Sequence, residues 1–366
     1  MRFRSLTYLI GLSFFVLTAC SFRNVHSTEA PEKAPRNIIL FIGDGMGTAH
    51  VNAAMTISAT PLALEKFPFS GFSKTFSYDN YVTDSGAGGT AISSGLKTRN
   101  GMIGMGPDSV AVESIMDLAH RKGLATGVVS TSSLTHATPA SFVAHNIDRS
   151  NYEEIAKDFL KGTLDVFIGG GEDQFRNRKD SVDLTAKLVK QGYDVVYTID
   201  AVKKSTSNKL AGLLAKEHMP QELSSRRGML EVMTSKAIET LSRNKKGFVL
   251  MVEGSQIDWG GHANDIRYVA SEMLDFDRAV GVAMKFAESN GETLIVVTSD
   301  HETGGLTIPE GSEDEHWVSV IFSTTDHTGV MVPVFSYGPG AERFSGIHDN
   351  TFYFPEFLDL LGIRKK

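Results

Sequence analysis

The sequence predicts an α/β fold: a doubly wound, mostly parallel sheet flanked by helices, with a small crown insertion late in the chain. Three observations predict it. Apolar runs of strand length alternate with helical patterns along most of the chain. The runs are continuously apolar, as in strands buried on both faces of a parallel sheet. A chain of 366 residues, 41% hydrophobic and 22% charged, is also long and apolar enough to bury such a core.

Strands are expected at 37–43 ("NIILFIG"), 123–130, 164–171, 193–199, 247–254 ("GFVLMVEG"), 293–300 ("TLIVVTSD") and 330–338. Helices are expected between them at 112–121, 151–160, 182–191, 226–243 and 265–289. In the last, Ile266, Val269, Met273, Phe276, Val280 and Met284 recur at helical spacing and form a core-facing stripe. The acidic stretch 303–326 reads as a loop-rich insertion over one edge. No internal repeat or low-complexity block interrupts the alternation.

The N-terminus reads as an export signal: Arg2 and Arg4 precede an apolar core from Leu6 to Leu17, too short to span a bilayer comfortably. "LTAC" follows, and it resembles the bacterial lipobox, which implies a lipid on Cys20 and a location on the periplasmic side of the bacterial cell envelope. An ordinary signal peptide followed by an idle cysteine is the alternative. The expected division is signal peptide 1–20, polar tether 21–35 and catalytic domain 36–366. Cys20 is the only cysteine, so no intramolecular disulfide forms. A net charge of -7 without a Lys/Arg run argues against a nucleic-acid partner, while a local cation can still hold a small anion.

Three expected strands end in an acid: Asp44, Glu253 and Asp300. The carboxyl ends of strands line the ligand crevice of an open parallel sheet. One such acid is as often a helix cap; three together repel one another unless a cation neutralises them. Histidines agree with a metal. Asp258 and His262 are four apart on one face of a turn, His301 adjoins Asp300, and His327 precedes a buried strand. Mixed carboxylate and imidazole sets suit zinc, all-oxygen sets magnesium. His26, His50, His120, His145, His218, His316 and His348 are read as structural or surface residues. In "VTDSGAGGTAISSG" (82–95), Ser85 has the setting of a nucleophile at a turn entering a helix, yet Thr83 breaks the G-x-S-x-G elbow and no histidine is near in sequence.

The blocks "NIILFIGDGMG", "VTDSGAGGTAISSG", "HATPASFVAHNIDR", "VEGSQIDWGGH", "TSDHETGG" and "DHTG" occur in the order of the alkaline phosphatases. From Asn37 to the C-terminus the chain resembles that family, and the fold expected is alkaline-phosphatase-like. The resemblance implies hydrolysis of phosphate monoesters at alkaline pH through a phosphoserine on Ser85. It implies two zinc ions (Zn2+) and one magnesium ion (Mg2+). Asp258, His262 and His327 would bind the first zinc, and Asp44, Asp300, His301 and Ser85 the second. Glu253, Thr138 and Asp44 would bind the third ion. Arg149 would clamp phosphate, steadied by Asp84. Such enzymes are commonly homodimers, so a homodimer is expected.

Two positions depart from the family pattern. His136 stands where some members carry aspartate, so it is a candidate ligand that turns the third site toward zinc. Trp259 stands where a lysine or histidine can contact phosphate through water, so phosphate is expected to be held less tightly. Glycines 86, 88 and 89 oppose helix formation and are expected to let substrate and metals approach. The short segment between His301 and His327 implies a small crown, an open mouth and broad substrate acceptance. A phosphodiesterase of the same superfamily and a non-catalytic zinc-binding lipoprotein are the rival readings. A Ser-His-Asp esterase is a weaker one.

Overall fold

The computed structural model describes residues 34–364. Signal peptide 1–20, Cys20 and tether residues 21–33 lie outside the described residues. Among the described residues no helix is long and apolar enough to cross a membrane.

Along the chain the strands are β1 (Asn37–Gly43), β2 (Phe69–Lys74), β3 (Ala125–Ser133), β4 (Val166–Gly170), β5 (Asp194–Val196), β6 (Leu210–Leu213) and β7 (Phe248–Gly254). They continue with β8 (Thr293–Thr298), β9 (Glu302–Thr303), β10 (Leu306–Ser312), β11 (Trp317–Phe322), β12 (His327–Thr328), β13 (Val332–Tyr337) and β14 (Gly346–Asp349). Ten of them form one sheet in the order β14-β2-β13-β8-β1-β7-β3-β4-β6-β5. From β8 to β5 every pairing is parallel. β13 runs antiparallel to both of its neighbours, β8 and β2, and β14 is parallel to β2.

Both faces of the sheet are covered, because successive residues of the central strands point to opposite sides. Ile38, Leu40 and Ile42 of β1 enter one core with Val249 and Met251 of β7. Ile39 and Phe41 enter the other with Leu250, Val252 and Phe276. The helix Ile266–Asn290 lays Val269, Met273, Phe276, Val280 and Met284 into that second core, with Ile266 packed against it, as its stripe predicts.

All seven expected strands are present. Three sheet strands carried no long apolar run. β6 is only "LAGL", and β2 ("FSGFSK") and β14 ("GIHD") alternate or lack apolar residues. β6 is nonetheless wholly buried, with Leu210, Ala211 and Leu213 in the cores, whereas β2 and β14, at one end of the sheet, expose residues and are held more by ladder hydrogen bonds. The stretch 303–326 is also not loop-rich. It is the β10–β11 hairpin, whose β11 alternates exposed and half-buried residues, as a half-solvated antiparallel pair does. β9 and β12 close its base, pairing Thr303 with His327 and Glu302 with Thr328.

Candidate active site

The acids converge because their strands are neighbours. Ile42 of β1 pairs with Glu253 on β7 and with Thr298 on β8. Asp44 leaves β1 one residue beyond Gly43, and Asp300 follows β8, so three carboxylates meet at one carboxyl edge. Asp44, Glu253 and Asp300 are all fully buried.

The sequence-predicted ligands fall into adjoining groups. Single ligand atoms of Asp258, His262 and His327 lie within 4.8 Å of one another, as do those of Asp44, Asp258 and His301, and of Asp44, His136 and Glu253. Asp300 joins the middle group, its Oδ2 3.4 Å from His301 Nε2, which is equally far from Asp44 Oδ1. Thr138 Oγ1 lies 3.4 Å from Asp44 Oδ2. Ser85 Oγ lies 3.2 Å from His301 Nε2.

The imidazoles are oriented by what their other nitrogens touch. His262 Nδ1 lies 2.5 Å from the Thr325 carbonyl and His327 Nδ1 2.9 Å from the Thr83 carbonyl. A carbonyl only accepts, so both Nδ1 atoms carry the proton. Their Nε2 atoms then face Asp258 Oδ1 at 3.3 and 3.6 Å. His301 Nδ1 lies 3.3 Å from the Thr303 hydroxyl, which itself donates to Asp258. That hydroxyl's proton is committed, so His301 donates from Nδ1 and presents Nε2 to the acids. Burial holds His301 well below its usual pKa, and its neutral Nε2 lone pair, directed at carboxylate oxygens, repels them unless a cation lies between; the hydrogen bond to Asp258 instead pushes His262 up to about 9.

Unpartnered atoms point the same way. Asp44 Oδ1, Asp300 Oδ2, Glu253 Oε1 and His136 Nδ1 are buried without a hydrogen-bond partner. Each would cost about 1–3 kcal/mol if nothing satisfied it. Burial, then the charges of Asp300 and Asp258, push the Asp44 carboxyl well above its usual range. Burial likewise raises Asp300 to about 6 and Glu253 to about 7. Asp258 is held low despite its burial, by the His262 hydrogen bond and the nearby His301 and His327. These residues fit divalent ions.

Ser85 opens the helix Ser85–Ser94, whose N-cap is Asp84. Asp84 Oδ1 accepts the Ala87 N–H at 2.9 Å; its Oδ2 accepts Arg149 Nη1 at 2.8 Å and the Gly101 N–H at 3.0 Å. One carboxylate thus both caps the helix and steers the guanidinium. Every residue of this helix is buried, which explains its small side chains. The glycines are required by protein packing: a Cβ on Gly88 would sit 3.0 Å from Asp300 Cβ, and one on Gly86 2.8 Å from the Met102 carbonyl.

Gly45 is more constrained still, with φ +71° and a hypothetical Cβ 2.8 Å from Asp258 Cα. Gly45→Ala is expected to destabilise the fold by about 1–3 kcal/mol from backbone strain alone and to displace Asp258. Thermal melts and metal content should fall together, and an unchanged metal content would refute the coupling.

Sequence reasoning missed four contributors. Thr303 bridges Asp258 and His301, and Ser130 and Ser255 attend Glu253. His218, read as structural or surface, packs edge-on against Trp259 at 4.7 Å and against His136 at 5.5 Å. Thr303 and Ser255 lie inside quoted motif blocks, so proximity to a ligand was their available signal. His218 lay in none.

The sequence model of the alkaline phosphatase family matches residues 35–320. The chain belongs to the alkaline phosphatase family. It is similar to alkaline phosphatase 4 of Bacillus subtilis, 34% identical with 89% of this chain and 88% of that one covered. It is also similar to streptomycin-6-phosphate phosphatase of Streptomyces griseus, 31% identical with 97% of each chain covered. The solved alkaline phosphatase of the Antarctic bacterium TAB5 superimposes with a TM-score of 0.87 at 41% identity, covering 91% of this chain and all (100%) of that one. A histidine-to-aspartate mutant of the TAB5 enzyme has Mg bound in its M3 site. As a member of this family the phosphatase hydrolyses phosphate monoesters and uses divalent metal ions.

Proposed function

We propose that the reaction runs by two displacements at phosphorus with Ser85 as nucleophile. The observation that supports this most strongly is Ser85 Oγ at the first turn of a helix, 3.2 Å from His301 Nε2 and beside the acid cluster. In the first step the Ser85 oxygen bonds to phosphorus as the bond to the alcohol oxygen breaks, leaving phosphoserine and alcohol. In the second, water attacks phosphorus, the serine–phosphorus bond breaks, and phosphate leaves with the Ser85 hydroxyl restored. Arg149, steered by Asp84, offers two N–H groups to phosphoryl oxygens. Backbone N–H groups at the start of the helix add donors and a positive dipole end.

Two zinc ions would be held by Asp258, His262 and His327, and by Asp44, Asp300 and His301 with Ser85. The third position would take magnesium on Asp44, Glu253 and Thr138, with His136 as a further ligand that shifts preference toward zinc. When bound, the ions supply Lewis acidity that lowers the serine hydroxyl pKa and neutralises developing charge. Trp259 replaces a cationic contact with an aromatic wall, which favours loose phosphate binding. A lipid on Cys20, a periplasmic location and a homodimeric state complete the proposal.

The test pairs an aryl phosphate monoester with its diester and quenches turnover in acid to trap phosphoserine. Faster monoester cleavage with label on Ser85 is expected. Faster diester cleavage would favour the phosphodiesterase reading, and metal uptake without turnover the zinc-binding lipoprotein.

A further inference from the structure

β3 ends in "STSS", four consecutive buried hydroxyl residues that follow the apolar pair Val128 and Val129. Ser130 pairs across the sheet with Glu253. Its Oγ donates to Glu253 Oε2 at 2.6 Å, a short bond to an acidic acceptor that commits its only proton. Toward its other neighbours Ser130 therefore accepts: the Ser132 N–H at 2.9 Å, and the Ser255 hydroxyl at 3.0 Å. Ser255 is fixed in turn, its N–H donating to Thr131 Oγ1 at 2.9 Å. Ser132 Oγ lies 2.8 Å from Ser130 Oγ and 3.4 Å from the same Glu253 oxygen.

The result is an asymmetric carboxylate. Oε2 is enclosed by hydroxyls, while Oε1 has no hydrogen-bond partner, and an oxygen of Glu253 belongs to the group with Asp44 and His136. We propose that Ser130, backed by Ser255, is a positioning residue that pins Glu253 so that a single oxygen faces the third-ion position. The inference rests on the three-ion reading above. One-oxygen carboxylate ligation suits a compact octahedral ion such as magnesium, whereas a freely turning carboxylate can close on the ion with both oxygens. Partners that orient ligands in this way typically change metal affinity by 10–100-fold.

The experiment titrates magnesium into the zinc-loaded enzyme and measures metal per chain by elemental analysis, for wild type, Ser130→Ala, Ser130→Thr and Ser255→Ala. Ser130→Ala is expected to weaken third-site magnesium binding at least about tenfold while both zincs and the melting temperature of the zinc form are retained. Ser130→Thr, which keeps the hydroxyl, should recover most of that loss, and Ser255→Ala should show a smaller one. Unchanged magnesium affinity in Ser130→Ala overturns the proposal, as does simultaneous loss of all three ions or failure of threonine to rescue. A wild type without a third ion would instead overturn the three-ion reading, and this proposal with it.

Discussion

Ser85→Ala is expected to lower kcat/KM for an aryl phosphate by at least about 10³-fold, in the range seen when a covalent nucleophile is deleted. The helix should survive the change. Ser85 Oγ caps nothing, since the N-cap is Asp84, and a methyl group fits where the hydroxyl sat. Alanine is also the better helix former, so the melting temperature should be unaltered or slightly raised. Metal content is expected to stay near that of wild type, because acids and imidazoles carry most of each proposed site. The check is steady-state kinetics beside elemental analysis on one preparation. Undiminished phosphate release with intact metals would remove Ser85 from the mechanism; loss of metal along with activity would mean that its oxygen is needed to hold an ion.

Stripping the metals with a chelator is expected to abolish turnover and to lower the melting temperature, both restored by adding zinc and then magnesium. The activity loss follows from chemistry: an unactivated serine hydroxyl is almost fully protonated at any working pH, and burial makes His301, the imidazole 3.2 Å from it, a weak base. The stability loss follows from linkage. An ion bound only by the folded chain contributes about 2.7 kcal/mol when present at a hundred times its dissociation constant. Removal also leaves Asp44, Asp258, Asp300 and Glu253 in one buried cluster, where the proton uptake favoured by the raised Asp44, Asp300 and Glu253 carboxyls relieves only part of the repulsion. Differential scanning calorimetry before and after chelation measures it. A melting temperature indifferent to chelation would contradict the reading of these residues as an ion-filled site.

The parts of this architecture that could be read from the sequence are those where one residue type has one physical use. Continuous apolar runs foretold β1, β7 and β8, and an acid at the end of each foretold the shared edge. The parts that could not be read depend on partners distant in sequence. β2 and β14 are strands because β13 turns back beside β8, which no local periodicity records. The glycines of the Ser85 helix yield to Asp300 and Met102, residues far along the chain or beyond the helix's end, so their purpose was visible only after folding. Ser130 is one serine among several in "STSS" until the register sets it opposite Glu253.

The short ladder between β9 and β12 has a consequence of its own. It joins Thr303 to His327 at the root of the hairpin, so the two strands that leave it begin from a fixed gate. What lies beyond that gate can be shortened, extended or exchanged while His301 and His327 keep their stations. Since each doubling of a flexible loop adds only about 0.6 kcal/mol of closure entropy, the molecule carries a docking port for new ornament directly above its chemistry, insulated from it by two residue pairs.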